Sequence, residues 1–282
     1  MNITIVGLGV IGGSYALSLK DYKEFDIYGI DVNRDSLLKT KSLGIIKEGA
    51  LFKSEESKEI IRNTDLIILC IYPKDIINFI NIYKSEFKEN LIITDVTGIK
   101  ECFIESVLEI LPEGIDFVFS HPMAGREKRG FEYASAEVFQ KANFIITPVN
   151  ENKEESLKLI EDLAFKMGFS NVKRISPKIH DEIIAFTSQL PHAIAVSLVN
   201  SDDLGIDTGK FVGDSYRELT RIAKINEELW SQLFLGNKEN LINRIESFQR
   251  ELEKIKRALC CNDQESLKTL FRNSTEKREN LE

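Results

Sequence analysis

The chain has 282 residues, of which 43% are hydrophobic and 29% charged. This length suits about two domains, and the composition excludes a disordered or fibrous protein. With 37 basic against 45 acidic residues the formal net charge is -8, which argues against nucleic acid as a partner because such a chain repels a phosphate backbone.

Neither a membrane segment nor a secretory signal is predicted. The longest apolar run, residues 66–72, falls far short of the roughly 20 residues that a spanning helix needs. The N-terminus has no basic segment followed by a long apolar one. We therefore predict a cytoplasmic protein with no membrane partner. The cysteines Cys70, Cys102, Cys260 and Cys261 form no CxxC pair, so neither a disulfide framework nor a metal site is predicted.

Residues 1–175 alternate short β-rich runs with helix-like segments, the pattern of a doubly wound, mostly parallel sheet in an α/β domain. Predicted strands cover residues 2–6, 26–31, 65–72, 91–96, 117–120, 144–148 and 172–175. Several are apolar at consecutive positions, as strands covered on both faces should be. Predicted helices cover residues 13–19, 36–43, 74–87, 100–111 and 151–167.

Residues 176–282 carry no further strand pattern and are predicted to form an all-α domain, with breaks at Pro191, around 205–213, at Gly236 and near Asn262. In its last long helix, apolar residues recur at a 3.5-residue period: Leu241, Ile245, Phe248, Leu252, Ile255 and Leu259. This period suits a helix–helix seam. A dimer seam and an amphipathic helix packed on its own domain explain it equally well.

A glycine-rich loop follows the first predicted strand and opens a helix, the context of a Rossmann dinucleotide-binding fingerprint. It consists of Gly7, Leu8, Gly9, Val10, Ile11 and Gly12. In such a loop the first glycine makes the turn, the second admits a pyrophosphate, and the third lets the helix pack on the strand. The alternative is a glycine-rich turn with no ligand.

Asp31 supports the dinucleotide interpretation because it ends the second predicted strand, 19 residues after Gly12. A carboxylate there can accept hydrogen bonds from the ribose hydroxyls of NAD and repel the 2′-phosphate of NADP. We therefore predict NAD as the cofactor. Arg34 lies three residues further on and is the residue that could instead pair with a 2′-phosphate.

His121 follows the fifth predicted strand, and ligands of such sheets lie beyond the carboxyl ends of the strands. Chain order therefore places His121 at the mouth of the nicotinamide half of the site. The alternative is a histidine that only caps a loop.

The helical half carries its own polar candidates. His180 and Asp181 begin one helix, and His192 follows Pro191, whose missing N–H leaves carbonyls unpaired near a kink. Arg217 and Arg221 lie one helical turn apart, ahead of the only tryptophan, Trp230. Two such arginines are either a solvated face or a fork that binds carboxylates.

Taken together, these motifs resemble the prephenate dehydrogenase family from Val6 to about Trp230. They are the glycine loop, Asp-x-x-x-x-Lys at 95–100, His-Pro-Met-Ala-Gly at 121–125, Glu-Lys at 127–128, His-Asp at 180–181, Ser-x-Leu-Pro-His at 188–192 and Thr-Arg-Ile-Ala at 220–223. His-Pro-Met-Ala-Gly and Ser-x-Leu-Pro-His are specific in combination, whereas the glycine loop alone is not.

The resemblance implies an NAD-dependent oxidative decarboxylation of prephenate to 4-hydroxyphenylpyruvate in tyrosine biosynthesis. It also implies a homodimer formed through a C-terminal helical dimerisation domain. His121 would hydrogen-bond the ring hydroxyl, Arg221 would bind a substrate carboxylate, and His192 and Trp230 would line the pocket. Arg217 and Lys128 are the additional cations expected there.

Two departures from the family pattern are visible. Where the family often has a serine, the chain has Gly98, so that contact would be lost or pass to Thr97. Gln189 stands where a histidine is common. Arogenate as substrate, a β-hydroxyacid dehydrogenase and an NAD-sensing regulator without turnover are the alternative functions.

Overall fold

The computed structural model describes residues 1–125 and 128–281. Among the described residues, nine short strands lie between helices in the first 174 positions. They are β1 (Asn2–Val6), β2 (Asp26–Asp31), β3 (Glu48–Leu51), β4 (Leu66–Leu69), β5 (Ile92–Asp95), β6 (Asp116–Val118), β7 (Ser120–Met123), β8 (Asn143–Ile146) and β9 (Asn171–Arg174). The first six form one parallel sheet in the order β3-β2-β1-β4-β5-β6. This is the doubly wound topology predicted from the sequence.

Helices connect these strands and cover both faces of the large sheet. They are α1 (Val10–Leu19), α2 (Arg34–Ser42), α3 (Glu55–Arg62), α4 (Pro73–Tyr83), α5 (Glu101–Ile110) and α6 (Glu154–Lys166). Alternate residues of one strand enter opposite cores: Ile68 packs with the α1 side, and Ile67 and Leu69 pack with the α4 side. The consecutive apolar residues of β4 are all buried for this reason.

The structure adds one strand and one helix that the sequence patterns did not predict. The strand β3 lies at the sheet edge and buries only Ala50, so it has neither an apolar run nor a clean alternation. Helix α3 is short and mostly charged, although the Ser54 side chain caps it by accepting a hydrogen bond from the Ser57 amide at 3.2 Å.

The predicted strand at 117–120 is wrong in extent. The chain leaves the large sheet at Phe119, and β7 pairs antiparallel with β8 in a separate three-stranded sheet, β7-β8-β9. His121 therefore lies inside β7 and not after a strand end. Pro122 is tolerated there because β7 is an edge strand, where a missing N–H costs no ladder hydrogen bond.

The remaining chain is helical, as predicted. It contains α7 (Pro177–Ile184), a π-helical turn (Ala185–Gln189), α8 (Leu190–Asn200), α9 (Asp214–Thr220), a 3₁₀ turn (Arg221–Ala223), α10 (Glu227–Gly236), α11 (Lys238–Cys260) and α12 (Gln264–Glu279). The break expected at Pro191 is not observed, because the π-helical turn continues directly into α8. The preceding π-helical turn already shifts the hydrogen-bond pattern, so the N–H that proline lacks is not needed.

Residues Pro177–Asn200 form a continuous helical stretch of 24 residues, and its most apolar 18-residue window has a mean hydropathy of 1.3, long and apolar enough to cross a membrane. The core helix of a water-soluble protein passes the same test. In the chain, 28% of that window is buried, and His180, Asp181 and Gln189 are among the buried residues of the stretch. The absence of a membrane partner stays a prediction.

Candidate active site

A cavity of about 990 Å³ lies between the carboxyl ends of the central strands and the helical half. The α/β half contributes Gly9, Val10, Ile11, Tyr72, Thr97, Gly98, His121 and Lys128 to its lining, and the helical half contributes Ser188, Gln189, His192, Lys224, Asn226, Trp230 and Leu233. The lining residues of the α/β half surround the crevice between β1 and β4, where the strand order reverses. Such a crevice is the usual ligand site of this topology.

The glycine loop has the geometry of a dinucleotide cradle. Gly7 has a φ of +88°, and a Cβ atom on it would lie 2.5 Å from the carbonyl oxygen of Cys70. A Cβ on Gly12 would lie 1.9 Å from the carbonyl oxygen of Gly7, so only glycine lets α1 pack here. Around Gly9 there is open space, and the first amides of α1 point toward it, as a pyrophosphate needs.

Asp31 lies at the end of β2, where a ribose would lie in this topology. Its carboxylate accepts hydrogen bonds from the backbone amides of Leu8 at 2.6 Å and Asn33 at 2.7 Å. These contacts fix the carboxylate beside the glycine loop. Arg34 begins α2 and is exposed. The loop and Asp31 together fit a dinucleotide without a 2′-phosphate.

A chain of hydrogen bonds leads from the cavity into the interior. His121 Nδ1 lies 2.9 Å from His180 Nε2, and His180 Nδ1 lies 2.7 Å from an Asp181 carboxylate oxygen. The carboxylate can only accept, so His180 must donate through Nδ1 and accept through Nε2. His121 then donates through Nδ1, which leaves its Nε2 as a hydrogen-bond acceptor. A Cβ on Gly98, which lines the cavity, would lie 3.6 Å from that Nε2.

Burial keeps both imidazoles of this relay neutral. It lowers the pKa of His121 well below the ordinary value, and the neighbouring His180 and Lys100 lower it further. Burial also lowers the pKa of His180. For Asp181, burial raises the pKa to about 6, although the backbone amides of Glu101 and Lys100 donate to the carboxylate and oppose this change. At neutral pH the relay therefore carries one negative charge, on Asp181.

Lys100 is fully buried next to the relay, and its backbone amide donates to Asp181. Its ammonium group donates to Asp95 at 2.6 Å, to the Ser120 carbonyl at 2.7 Å and to the Thr97 carbonyl and hydroxyl at 3.0 Å. The Thr97 hydroxyl also donates to Asp95. Thr97 lines the cavity as expected, but its hydroxyl is held by this network and not directed at a ligand.

The helical half forms an aromatic wall. The Trp230 ring stacks on the His192 ring with a centroid separation of 3.6 Å and an interplanar angle of 29°. His192 Nδ1 donates to the Ser188 carbonyl at 2.9 Å. Gln189 is buried and donates to the Leu233 carbonyl at 2.9 Å. His192 and Trp230 both line the cavity.

Of the three cations expected at the site, one lines the cavity and two lie outside its lining. Lys128 lines the cavity, with its ammonium 4.5 Å from the centroid of the Tyr133 ring. Arg217 is exposed, outside the cavity lining, and paired with Asp214 at 3.2 Å. Arg221 is also exposed and outside the cavity lining, but it begins the 3₁₀ turn whose next residue, Ile222, lines the cavity.

Sequence reasoning missed several lining residues. Lys224, one residue after the Thr-Arg-Ile-Ala motif, lines the cavity, and the motif's proximity was the only available signal. Tyr72 and Asn226 also line it, and no local pattern distinguishes them. Glu127, part of the Glu-Lys motif, lies outside the described residues together with Arg126.

Two family models match the chain. Residues 15–172 match the model described as prephenate dehydrogenase, nucleotide-binding domain, and residues 176–273 match prephenate dehydrogenase, dimerization domain. A prephenate dehydrogenase of Bacillus subtilis (strain 168) is 29% identical over 284 residues, covering 99% of this chain and 76% of that protein. A cyclohexadienyl dehydrogenase of Zymomonas mobilis is 27% identical, covering 98% of this chain and 94% of that protein.

Solved structures are also similar to this chain. The prephenate dehydrogenase of Aquifex aeolicus in complex with hydroxyphenyl propionate and NAD+ superposes with a TM-score of 0.90 at 31% identity, covering 100% of this chain and 98% of that one. An arogenate dehydrogenase of Synechocystis superposes with a TM-score of 0.83 at 20% identity, with both chains covered to 100%. At that identity the second match shows the shared fold alone.

Proposed function

Because the chain belongs to the prephenate dehydrogenase family, we propose that it catalyses the NAD-dependent oxidative decarboxylation of prephenate to 4-hydroxyphenylpyruvate in tyrosine biosynthesis. The observation that carries the proposal is the His121–His180–Asp181 relay, which presents an imidazole acceptor to the cavity. A cavity that only bound a dinucleotide would have no use for such an acceptor beside its nicotinamide half.

The α/β half would hold the cofactor. Gly9 and the first amides of α1 would receive the pyrophosphate, and Gly7 and Gly12, which have no room for a Cβ, let the loop and α1 pack closely beside it. Asp31 receives the ribose hydroxyls and repels a 2′-phosphate. When bound, NAD supplies the acceptor for a hydride.

The protein's part in the chemistry is to orient the ring and polarise its hydroxyl. As hydride leaves the ring carbon that bears the hydroxyl, positive charge develops there, and the electron pair released with carbon dioxide then completes the aromatic ring. His121 Nε2 accepts a hydrogen bond from the hydroxyl as its proton becomes acidic, and Asp181 stabilises that charge through the two imidazoles. The proton ends on the phenol product, so the step needs no net proton release.

The experiment that tests the function is incubation of the purified chain with prephenate and NAD while NADH absorbance and carbon dioxide are followed. We expect the two products to form in equal amounts. Arogenate, tested in parallel, differs only by the amino group of its side chain. If NAD binds but neither compound is turned over, the enzyme proposal is wrong and the NAD-sensing regulator is favoured.

His121→Asn should lower kcat about 10²- to 10⁴-fold, the usual contribution of a general base, with NAD affinity nearly intact. In the unmodified enzyme only the neutral imidazole can accept a hydrogen bond from the ring hydroxyl. The lowered pKa of His121 keeps the imidazole neutral below pH 6.5, so the first group protonated on acidification is Asp181, with a pKa of about 6. The kcat profile should therefore fall on the acid side near pH 6.

Asp181→Asn is the matched control for this pH profile, because it removes the titrating carboxylate and leaves His121 in place. Its kcat should be reduced and independent of pH around 6. Near-normal turnover of His121→Asn with an unchanged profile would show that His121 has only a structural role, and the base would then be sought at His192.

Substrate carboxylates would be held by cations of the helical half. Lys224 lines the cavity, and Arg221 lies at the other end of the same 3₁₀ turn. We propose that both contribute to prephenate binding, with Lys128 across the cavity. The position of Arg217, outside the lining and paired with Asp214, does not support a role for it.

Arg221→Ala and Lys224→Ala should each cost about 1.5–3 kcal/mol of substrate binding, the value of a charge-assisted hydrogen bond, which is roughly ten- to more than a hundredfold in kcat/KM for prephenate. The KM for NAD should change little. Arg217→Ala, which removes an exposed cation from the same surface, is the control and should leave both constants nearly unchanged. An equal loss of NAD and prephenate binding in Arg221→Ala would mean that this residue is structural.

A homodimer formed through the C-terminal helices is the proposed assembly, and the matched dimerization-domain model supports it. Of the heptad residues on α11 only Leu241 is buried, whereas Phe248, Leu252 and Leu259 are exposed. On the adjoining helical stretch Ile179, Ile183 and Phe186 are exposed as well. This apolar surface favours a seam against a second copy over packing within one chain.

Leu252→Glu should therefore halve the mass measured by sedimentation equilibrium, because it places a charge in the apolar seam. Asn243→Glu adds the same charge to an exposed position of α11 on the opposite side from the heptad residues, and should leave the mass unchanged. A monomeric unmodified protein would contradict the proposal.

A further inference from the structure

Asn226 connects the two halves of the protein at the rim of the cavity. Its side-chain amide donates a hydrogen bond to the Tyr72 hydroxyl at 3.0 Å. Tyr72 immediately precedes α4 of the α/β half, and Asn226 immediately precedes α10 of the helical half. Both residues are half-buried and both line the cavity.

The same asparagine organises the first turn of α10. Its side-chain oxygen caps the helix by accepting from the Leu229 amide at 3.2 Å and also accepts from the Arg129 guanidinium. Its carbonyl oxygen accepts from the Trp230 amide at 2.9 Å. The backbone position of Trp230 is therefore set by the residue that bonds to Tyr72.

Other contacts between α4 and α10 are weaker candidates for this role. Lys74 pairs with Glu228, but both side chains are more than half exposed, and an exposed ion pair contributes little. The Lys74 amide lies 3.4 Å from the Gln232 side chain, a long hydrogen bond. The Tyr72–Asn226 bond is shorter than this contact and better shielded than the ion pair.

We propose that Asn226 is a positioning residue for the substrate site: through its bond to Tyr72 it sets where Trp230, stacked on His192, lies relative to the dinucleotide-binding half. Trp230 belongs to α10, and α10 has only 10 residues, so the anchoring of its first turn controls the pose of the ring. The effect on turnover rests on the proposed function, whereas the position of the ring does not.

Trp230 is the only tryptophan of the chain, so its fluorescence reports its own surroundings without any substrate. Tyr72→Phe removes the bond between Tyr72 and Asn226 and leaves the contact of Asn226 with Arg129 in place. Asn226→Ser keeps a capping oxygen but is too short to reach Tyr72. Asn226→Asp keeps the cap and the length, and its carboxylate can accept from the Tyr72 hydroxyl. Tyr22→Phe, which loses a 2.9 Å bond to the Lys166 carbonyl far from the cavity, is the matched control.

In Tyr72→Phe and Asn226→Ser we expect faster acrylamide quenching of Trp230 and about a fivefold loss of kcat/KM for prephenate, the factor that one neutral hydrogen bond provides. The loss should appear mainly in KM. The double variant should be no worse than Asn226→Ser alone, because both substitutions remove the bond between Tyr72 and Asn226. Tyr22→Phe should resemble the unmodified protein in both measurements, and Asn226→Asp should resemble it in the quenching of Trp230.

Unchanged quenching in Tyr72→Phe, or additive losses in the double variant, would overturn the proposal. If the unmodified protein does not oxidise prephenate, the proposed function fails, and the quenching measurements still decide the role of Asn226. Equal thermal unfolding of Tyr72→Phe and Tyr22→Phe would show that a difference between their quenching rates comes from the position of Trp230 and not from general destabilisation.

Discussion

The arrangement of the active site depends on the hydrogen bonds that the buried residue Lys100 makes. Its side chain joins Asp95, at the end of β5, to the carbonyl of Ser120, which directly precedes His121. Its backbone amide donates to Asp181 at 2.9 Å. One residue thus holds both ends of the relay, because His121 follows Ser120 and His180 is oriented by Asp181. A buried ion pair is seldom a net source of stability, so its value here is geometric.

The charges of this network also suit the proposed chemistry. Lys100 and Asp95 compensate each other, which leaves the negative charge of Asp181 uncompensated among these three groups. Placed behind two neutral imidazoles, that charge favours the positive charge that develops when hydride leaves the ring. The buried, water-poor setting strengthens this interaction. A relay with a protonated histidine would have the opposite effect, and burial together with the nearby ammonium group disfavours that state.

Features that follow from a local sequence pattern, such as a periodicity of apolar residues or a turn motif, were predictable. The glycine loop, Asp31, the large parallel sheet and the helical second half were all found from local pattern. The strand β3 escaped because a short edge strand with one buried residue has no pattern. The partnership of His121 with His180 joins residues 59 positions apart, so only the folded chain reveals it. Lys224 and Asn226 were missed for the same reason, since their lining role depends on how a turn and a helix end face the cavity.

The π-helical turn explains how one helix serves both the relay and the pocket wall. His180 and His192 are 12 residues apart, and on a regular α-helix this spacing would rotate them about 120° from each other. A π-helical turn takes up one additional residue, so the pair behaves as if 11 residues apart, about three turns and roughly 20° from alignment. His180 can then bond His121 while His192 stacks on Trp230 on the same side of the helix. The wider turn also places Ser188 and Gln189 at the cavity, so a local departure from α-helical geometry joins the His121–His180–Asp181 relay to the aromatic wall of the cavity.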